Sequence, residues 1–155
     1  MRILVVSDTH GNFKNFKQAV ENDRSVDVII HCGDSRGELE EMKMYYKDKA
    51  FICVKGNCDL GSMLPNDEIR VFENKKLFIT HGHLYNVKLA LYPICCKARE
   101  ENADIVIFGH THNALAEYDD GLYILNPGSL GSYGATYAYI DVTEQGIMTN
   151  IVKLK

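Results

Sequence analysis

Residues 104 to 112, Asp-Ile-Val-Ile-Phe-Gly-His-Thr-His, constrain the fold of this chain most strongly. A continuous apolar run of strand length ends in a glycine and then presents His110 and His112. Glycine lets a backbone pass close to whatever lies beside it, and two imidazoles at the end of a buried strand are suited to holding a metal. Four other apolar runs end alike: residues 2–6 lead into Asp8 and His10, 26–31 into Asp34, 51–54 into Asn57 and Asp59, and 77–80 into His81 and His83. In open α/β sheets ligands bind beyond the carboxyl ends of the strands, so the five endings can meet at one place.

Between these runs the periodicity changes. Phe13, Phe16, Ala19 and Val20 recur at helical spacing behind Asn12, a suitable N-cap, and Leu39, Met42 and Tyr45/Tyr46 mark a second helix over 36–47. Strand, helix, strand, helix, strand is the opening of a parallel sheet with right-handed crossovers. The second half is richer in hairpins. Residues 68–80 read as two strands around a turn at Asn74-Lys75, and 114–118, 121–125, 136–142 and 147–154 read as further strands. Pro93 opens a third helix toward Asn102 with Ile94, Cys95 and Ala98 inward, while residues 84–92 show no dominant period. Roughly nine or ten strands exceed one small sheet, and two packed sheets flanked by helices solve the burial problem economically.

A chain of 155 residues, 46% hydrophobic and 25% charged, suits one globular domain, 1–155, without a disordered or repeat signature. Its net charge of −4 argues against nucleic acid as a partner, because phosphate binding is usually driven by a basic face. Five cysteines without a Cys-x-x-Cys spacing give neither a disulfide framework nor a standard zinc motif, which points to reduced thiols. Met1 leads straight into a strand with no basic leader before it, and no apolar stretch reaches the ~20 residues needed to cross a bilayer. The expected location is cytoplasmic.

Asp8, His10, Asp34, Asn57, His81, His110 and His112 are the candidate ligands. Dinuclear hydrolytic sites use oxygen and nitrogen ligands, with a carboxylate able to bridge ions about 3.5–4 Å apart. Two divalent cations set against Asp8 and Asp34 leave a charge of about +2, which attracts an anionic phosphoester. In order and spacing, Asp8-x-His10, Gly33-Asp34, Gly56-Asn57-x-Asp59, His81 and Gly109-His110-x-His112 resemble the five motifs of the calcineurin-like metallophosphoesterases. The resemblance spans nearly the whole chain. With Thr80-His81-Gly82-His83 and Asn126-Pro127-Gly128-Ser129, it is most similar to the small single-domain phosphodiesterase branch, the YfcE type.

That resemblance implies an α/β fold, a four-layer α/β/β/α sandwich of two mixed sheets flanked by helices. It also implies that Asp8, His10 and His112 hold one metal, that Asn57, His81 and His110 hold another, and that Asp34 bridges. Asp34, Asn57, Cys58 and His83 become the catalytic candidates. The implied reaction is in-line attack on phosphorus by a metal-bound hydroxide, with a small phosphodiester as substrate. Manganese or nickel is favoured, and iron, cobalt and zinc are compatible with the same nitrogen and oxygen ligands. The branch further suggests a homodimer or higher homo-oligomer, with no membrane partner.

Cys58 departs from the many members of the superfamily that carry a histidine there, thought to protonate the leaving group. A thiol is a poorer proton donor near neutrality than an imidazolium, so His83 is the nearest alternative acid by sequence. Cysteine at this position is itself a habit of the small branch. His31 reads as core or as support for the ligands, and Asp59 as a hydrogen-bonding partner of the Asn57 loop. Tyr133, Tyr137 and Tyr139 read as packing on a sheet face. Two other functions compete, a non-catalytic protein-interaction scaffold like the superfamily's trafficking-coat subunit, and a nuclease. The complete ligand set argues against the first, and the absence of a basic stripe argues against the second.

Overall fold

A computed structural model of the chain describes residues 1–155. In chain order the elements are β1 (Arg2–Val6), α1 (Phe13–Glu21), β2 (Val28–His31), α2 (Glu38–Tyr45), β3 (Ala50–Cys53), β4 (Asp67–Phe72), β5 (Lys75–Thr80), a 3-10 turn (His83–Tyr85), α3 (Tyr92–Glu100), β6 (Ile105–Ile107), β7 (Leu115–Asp119), β8 (Leu122–Asn126), β9 (Thr136–Thr143) and β10 (Gly146–Lys153). They form two five-stranded sheets, ordered β10-β9-β1-β2-β3 and β4-β5-β6-β8-β7. In the first sheet β1, β2 and β3 are parallel, β9 runs antiparallel to β1, and β10 runs antiparallel to β9. In the second, β5, β6 and β8 are parallel, with β4 and β7 antiparallel at the edges.

Successive side chains of a strand point to opposite faces, and here both faces of each sheet are covered. On β1, Ile3 and Val5 enter a core shared with the second sheet, while Leu4 and Val6 pack with Phe16 and Val20 of α1 and Met42 of α2. On β6, Ile105 and Ile107 join the inter-sheet core, whereas Val106 packs with Ile94 and Ala98 of α3. Three apolar cores therefore separate four layers, in the order α1/α2, first sheet, second sheet, α3. This is the α/β/β/α sandwich, and it leaves the carboxyl ends of the parallel strands free of helix.

Asn12 caps α1 by accepting the Asn15 amide at 3.0 Å, as its position before the helical period predicts. Three local features differ from the sequence reading. The β4–β5 hairpin turns on Glu73 and Asn74, at φ 46° and 60°, one residue earlier than expected. A two-residue turn that matches the strand twist needs left-handed backbone at both positions, which asparagine tolerates. α2 begins only after Gly37, whose φ of 98° lies outside the helical region, and Tyr45 stays exposed at its end instead of packing inward. Residues 83–85 form the 3-10 turn in the stretch without a clear period. Tyr137 and Tyr139 lie in the helix-side core, whereas Tyr133 is exposed. No helix is long and apolar enough to cross a membrane.

Candidate metal centre

The candidate ligands stand just beyond the carboxyl ends of β1, β2 and β3 in one sheet and β5 and β6 in the other. Backbone pairing continues past the strands to place them. The Asp8 amide donates to Gly33 O at 3.0 Å, the His10 amide to Asp34 O at 3.0 Å, and the Gly109 amide to His81 O at 3.2 Å. Two further bonds cross between the sheets. The His110 amide donates to Asp8 Oδ2 at 3.0 Å, and His81 Nδ1 donates to Cys32 O at 2.7 Å.

Five of the seven, Asp8, His10, Asp34, His110 and His112, have φ between 46° and 66°. Left-handed backbone is uncommon outside glycine and costs about 1–3 kcal/mol per residue, Asp and His being among the better tolerated. Residues in this conformation bend the chain sharply at a strand's end. Consecutive ligands of one loop can then face a common centre.

The Asp8 carboxylate shows what that centre demands. Its Oδ2 accepts from Ser7 Oγ at 2.6 Å and from the His110 amide, but the buried Oδ1 has no hydrogen-bond donor. Around Oδ1 lie His112 Nε2 at 3.1 Å, His10 Nε2 at 3.9 Å and His81 Nε2 at 4.0 Å. His10 and His112 bring their Nε2 atoms to 3.3 Å from one another. Burying a charged oxygen without a partner costs at least about 1–3 kcal/mol, and a divalent cation would accept all of these lone pairs together. The nitrogen and oxygen donors, with no thiolate among the seven, fit such an ion.

A second cluster adjoins the first. Asp34 Oδ2 lies 3.4 Å from His81 Nε2 and 4.0 Å from His10 Nε2, while Asn57 Oδ1 lies 3.1 Å from His81 Nε2. The donor atoms of Asp34, His81 and His110 fall within 4.8 Å of each other, as do those of Asp8, His10 and His112 and those of His10, Asp34 and Cys58. Asp34 thus belongs to groupings on both sides. Burial pushes its carboxyl up, but hydrogen bonds from His81 and the Cys58 amide outweigh this and hold it well below the usual carboxylate range. Burial lowers His81 as well, yet the Asp34 hydrogen bond and the Asp8 charge win and raise it, so the local field favours positive charge. His110 is pushed down to about 4 by burial and by His81, which leaves its ring neutral at neutral pH. Burial, and then the hydrogen bond to Asp34, raise the Cys58 thiol. His83 stands beside the cluster, its ring centroid 5.3 Å from that of His81.

Behind the ligands lies a layer of support. The Gly33 amide donates to His31 Nδ1 at 3.1 Å, so the ring proton sits on Nε2, 2.9 Å from Thr9 Oγ1. The Thr9 hydroxyl in turn donates to the buried Glu38 carboxylate. Burial lowers His31 to about 4, consistent with this neutral tautomer. Asp59 Oδ2 accepts the amides of Asp34 and Gly56, both at 2.7 Å, which extends its expected role from one loop to two. Asn126 Nδ2 donates to Gly109 O at 2.8 Å, and Ser129 Oγ donates to Asp8 O at 2.8 Å. Ser7, Thr9, Glu38 and Asn126 were not among the sequence candidates. For Asn126 the Asn-Pro-Gly-Ser wording carried a signal; Glu38 reads only as an acidic residue in a helix's first turn.

Residues 1–145 match the calcineurin-like phosphoesterase superfamily domain. The probable metallophosphoesterase YsnB of Bacillus subtilis is 34% identical over 131 residues, covering 84% of this chain and 75% of its own. The phosphodiesterase YfcE of Escherichia coli is 34% identical over 168 residues, covering 91% of this chain and 88% of its own. In architecture the chain is similar to wild-type Vps29 of Entamoeba histolytica, solved in complex with zinc, with a TM-score of 0.80 over 99% of each chain at 22% identity. A match over residues 1–145, together with relatives 34% identical over most of the chain, establishes that the chain belongs to the calcineurin-like phosphoesterase superfamily.

Proposed function

We propose that the chain is a metal-dependent phosphodiesterase with a dinuclear centre. The observation that carries this reading is the unpartnered Asp8 Oδ1 buried among imidazole nitrogens, and the phosphodiesterase name of the YfcE relative supports the substrate class. Asp8, His10 and His112 would hold one ion, Asn57, His81 and His110 the other, and Asp34, near both His10 and His81, would bridge. When bound, such ions supply positive charge for phosphoryl oxygens and lower the pKa of water to about 7.

The protein's own groups then position substrate and handle protons. Asp34 stays ionised under the pull of His81 and the Cys58 amide. Asn57, 3.1 Å from His81 Nε2, offers a neutral amide oxygen that adds no charge to the site. His83, lowered by burial and by His81, would act as a neutral hydrogen-bonding group toward the ester. Cys58 keeps its proton and donates weakly. Cys58→His should therefore raise kcat/KM on phosphate monoesters with poor leaving groups by about a hundredfold, the scale of a positioned general acid. An unchanged rate would remove position 58 from proton transfer.

The test of the proposal is hydrolysis of bis(p-nitrophenyl) phosphate and p-nitrophenyl phosphate by chelator-stripped protein, with Mn, Ni, Zn or Mg returned singly. Diester cleavage restored by a transition metal and exceeding monoester cleavage is expected. No cleavage with any metal, in protein that binds two ions, would favour the non-catalytic scaffold. The same additions should raise Tm, because the ligands link both sheets. A ligand at 100 times its Kd adds about 2.7 kcal/mol, which for a domain of this size is a shift of roughly 5–10 °C. Coincident melting curves would count against the centre.

A further inference from the structure

A groove of about 580 Å3 opens beside Cys58. One wall is the start of α2, with Arg36, Leu39 and Glu40, and the other is the loop from Cys58 to Leu64. The groove adjoins the candidate centre through Cys58, whose thiol lies within 4.8 Å of the donor atoms of His10 and Asp34. Two features of it stand out. Leu60 and Met63 are 92% and 98% exposed, although neighbouring Leu64 packs against the helix-side core. Arg36 also lacks a counterion: of the five arginines, Arg2, Arg70 and Arg99 pair with Asp141, Glu68 and Asp119, whereas no carboxylate pairs with Arg24 or with the Arg36 guanidinium beside the groove. Glu38 does not serve, since its carboxylate is held by Thr9 and by the Arg36 amide at 2.7 Å.

An unpaired guanidinium is suited to a phosphoryl oxygen, and an exposed leucine and methionine beside it are suited to a flat apolar group. The volume is in the range of small-ligand sites. We propose that this groove binds one organic substituent of the diester, with Arg36 pairing to a non-bridging phosphoryl oxygen and Leu39, Leu60, Met63 and Leu64 covering an aromatic ring. The preferred substrates are then aryl or similarly flat diesters, not dialkyl ones. This rests on the phosphodiesterase reading and extends it to the group carried on phosphorus.

The test is calorimetric binding of diphenyl phosphate and dimethyl phosphate to manganese-loaded protein. Diphenyl phosphate is expected to bind at least about tenfold more tightly, and the double variant L60S/M63S to weaken it about tenfold more than it weakens dimethyl phosphate. Arg36→Gln is expected to weaken both ligands by similar factors. Met148→Ser, at an exposed apolar position on β10, serves as a control and should change neither. Equal effects of L60S/M63S on the two ligands, or none, would overturn the apolar contact, and an R36Q protein that binds both normally would overturn the ion pair. Because binding is read separately from turnover, protein that discriminates the ligands but cleaves no diester would refute the phosphodiesterase reading alone. Protein that cleaves diesters without discriminating them would refute the groove alone.

Discussion

Asp34→Ala should lower kcat/KM on bis(p-nitrophenyl) phosphate by about a thousandfold or more and release at least one ion. Asp34 approaches histidines of both clusters, with Oδ2 at 3.4 Å from His81 Nε2 and 4.0 Å from His10 Nε2. Its other oxygen accepts the Cys58 amide at 2.8 Å, so the carboxylate cannot rotate away. Alanine also sits poorly at a φ of 59°, and a loss of folding would confuse the result. Asp34→Asn separates the effects, because asparagine tolerates that backbone and keeps an oxygen for the Cys58 amide while losing the charge. It should fold normally, bind less metal and hydrolyse poorly. Elemental analysis and turnover on the same sample decide the matter, and full metal content with full activity would sink the dinuclear assignment.

Gly109→Ala should be nearly as damaging for a different reason. A methyl group there would lie 1.9 Å from Ser7 Oγ and 2.7 Å from Asp8 Oδ2. Asp8 has little room to retreat. Its carbonyl accepts the Gly131 amide at 2.9 Å and Ser129 Oγ, and its carboxylate holds the His110 amide. The close approach of the two strand ends must therefore open. A destabilisation of about 1–3 kcal/mol is expected from overpacking, together with a loss of metal affinity of at least about 10–100-fold from the displaced carboxylate. Urea unfolding of stripped protein and a manganese titration measure the two effects apart. Wild-type values in both would mean that the two sheets can separate at this point without cost.

The strand ends are legible in the sequence because each couples an apolar run to residue types, Asp, His and Asn, that have little other reason to follow one. The four layers follow from counting strands that one sheet could not hold. The support layer is legible only in part: His31, Asp59 and the Asn126 turn carry a signal, whereas the bonds that join distant segments do not. Thr9 meets Glu38 across 29 positions, and Ser129 meets Asp8 across 121, so no local pattern marks either pair. Tyr45 is misread for a related reason. Its helical spacing from Met42 suggests burial, but the helix ends there and leaves the ring outside, against Lys17 Nζ at 4.2 Å.

The left-handed backbone at five ligand positions has an evolutionary consequence. Glycine at His112, an exposed position, would relieve roughly 1–3 kcal/mol of strain while giving back only about 0.5–1 kcal/mol through the freer unfolded chain. Discarding that side chain is thus downhill for folding, whereas at Asp8 the hydrogen bonds from Ser7 and the His110 amide oppose it. On the proposed function, a lineage of this architecture no longer selected for hydrolysis would shed His112 readily, so its persistence beside the other candidate ligands is what selection for bound ions would produce.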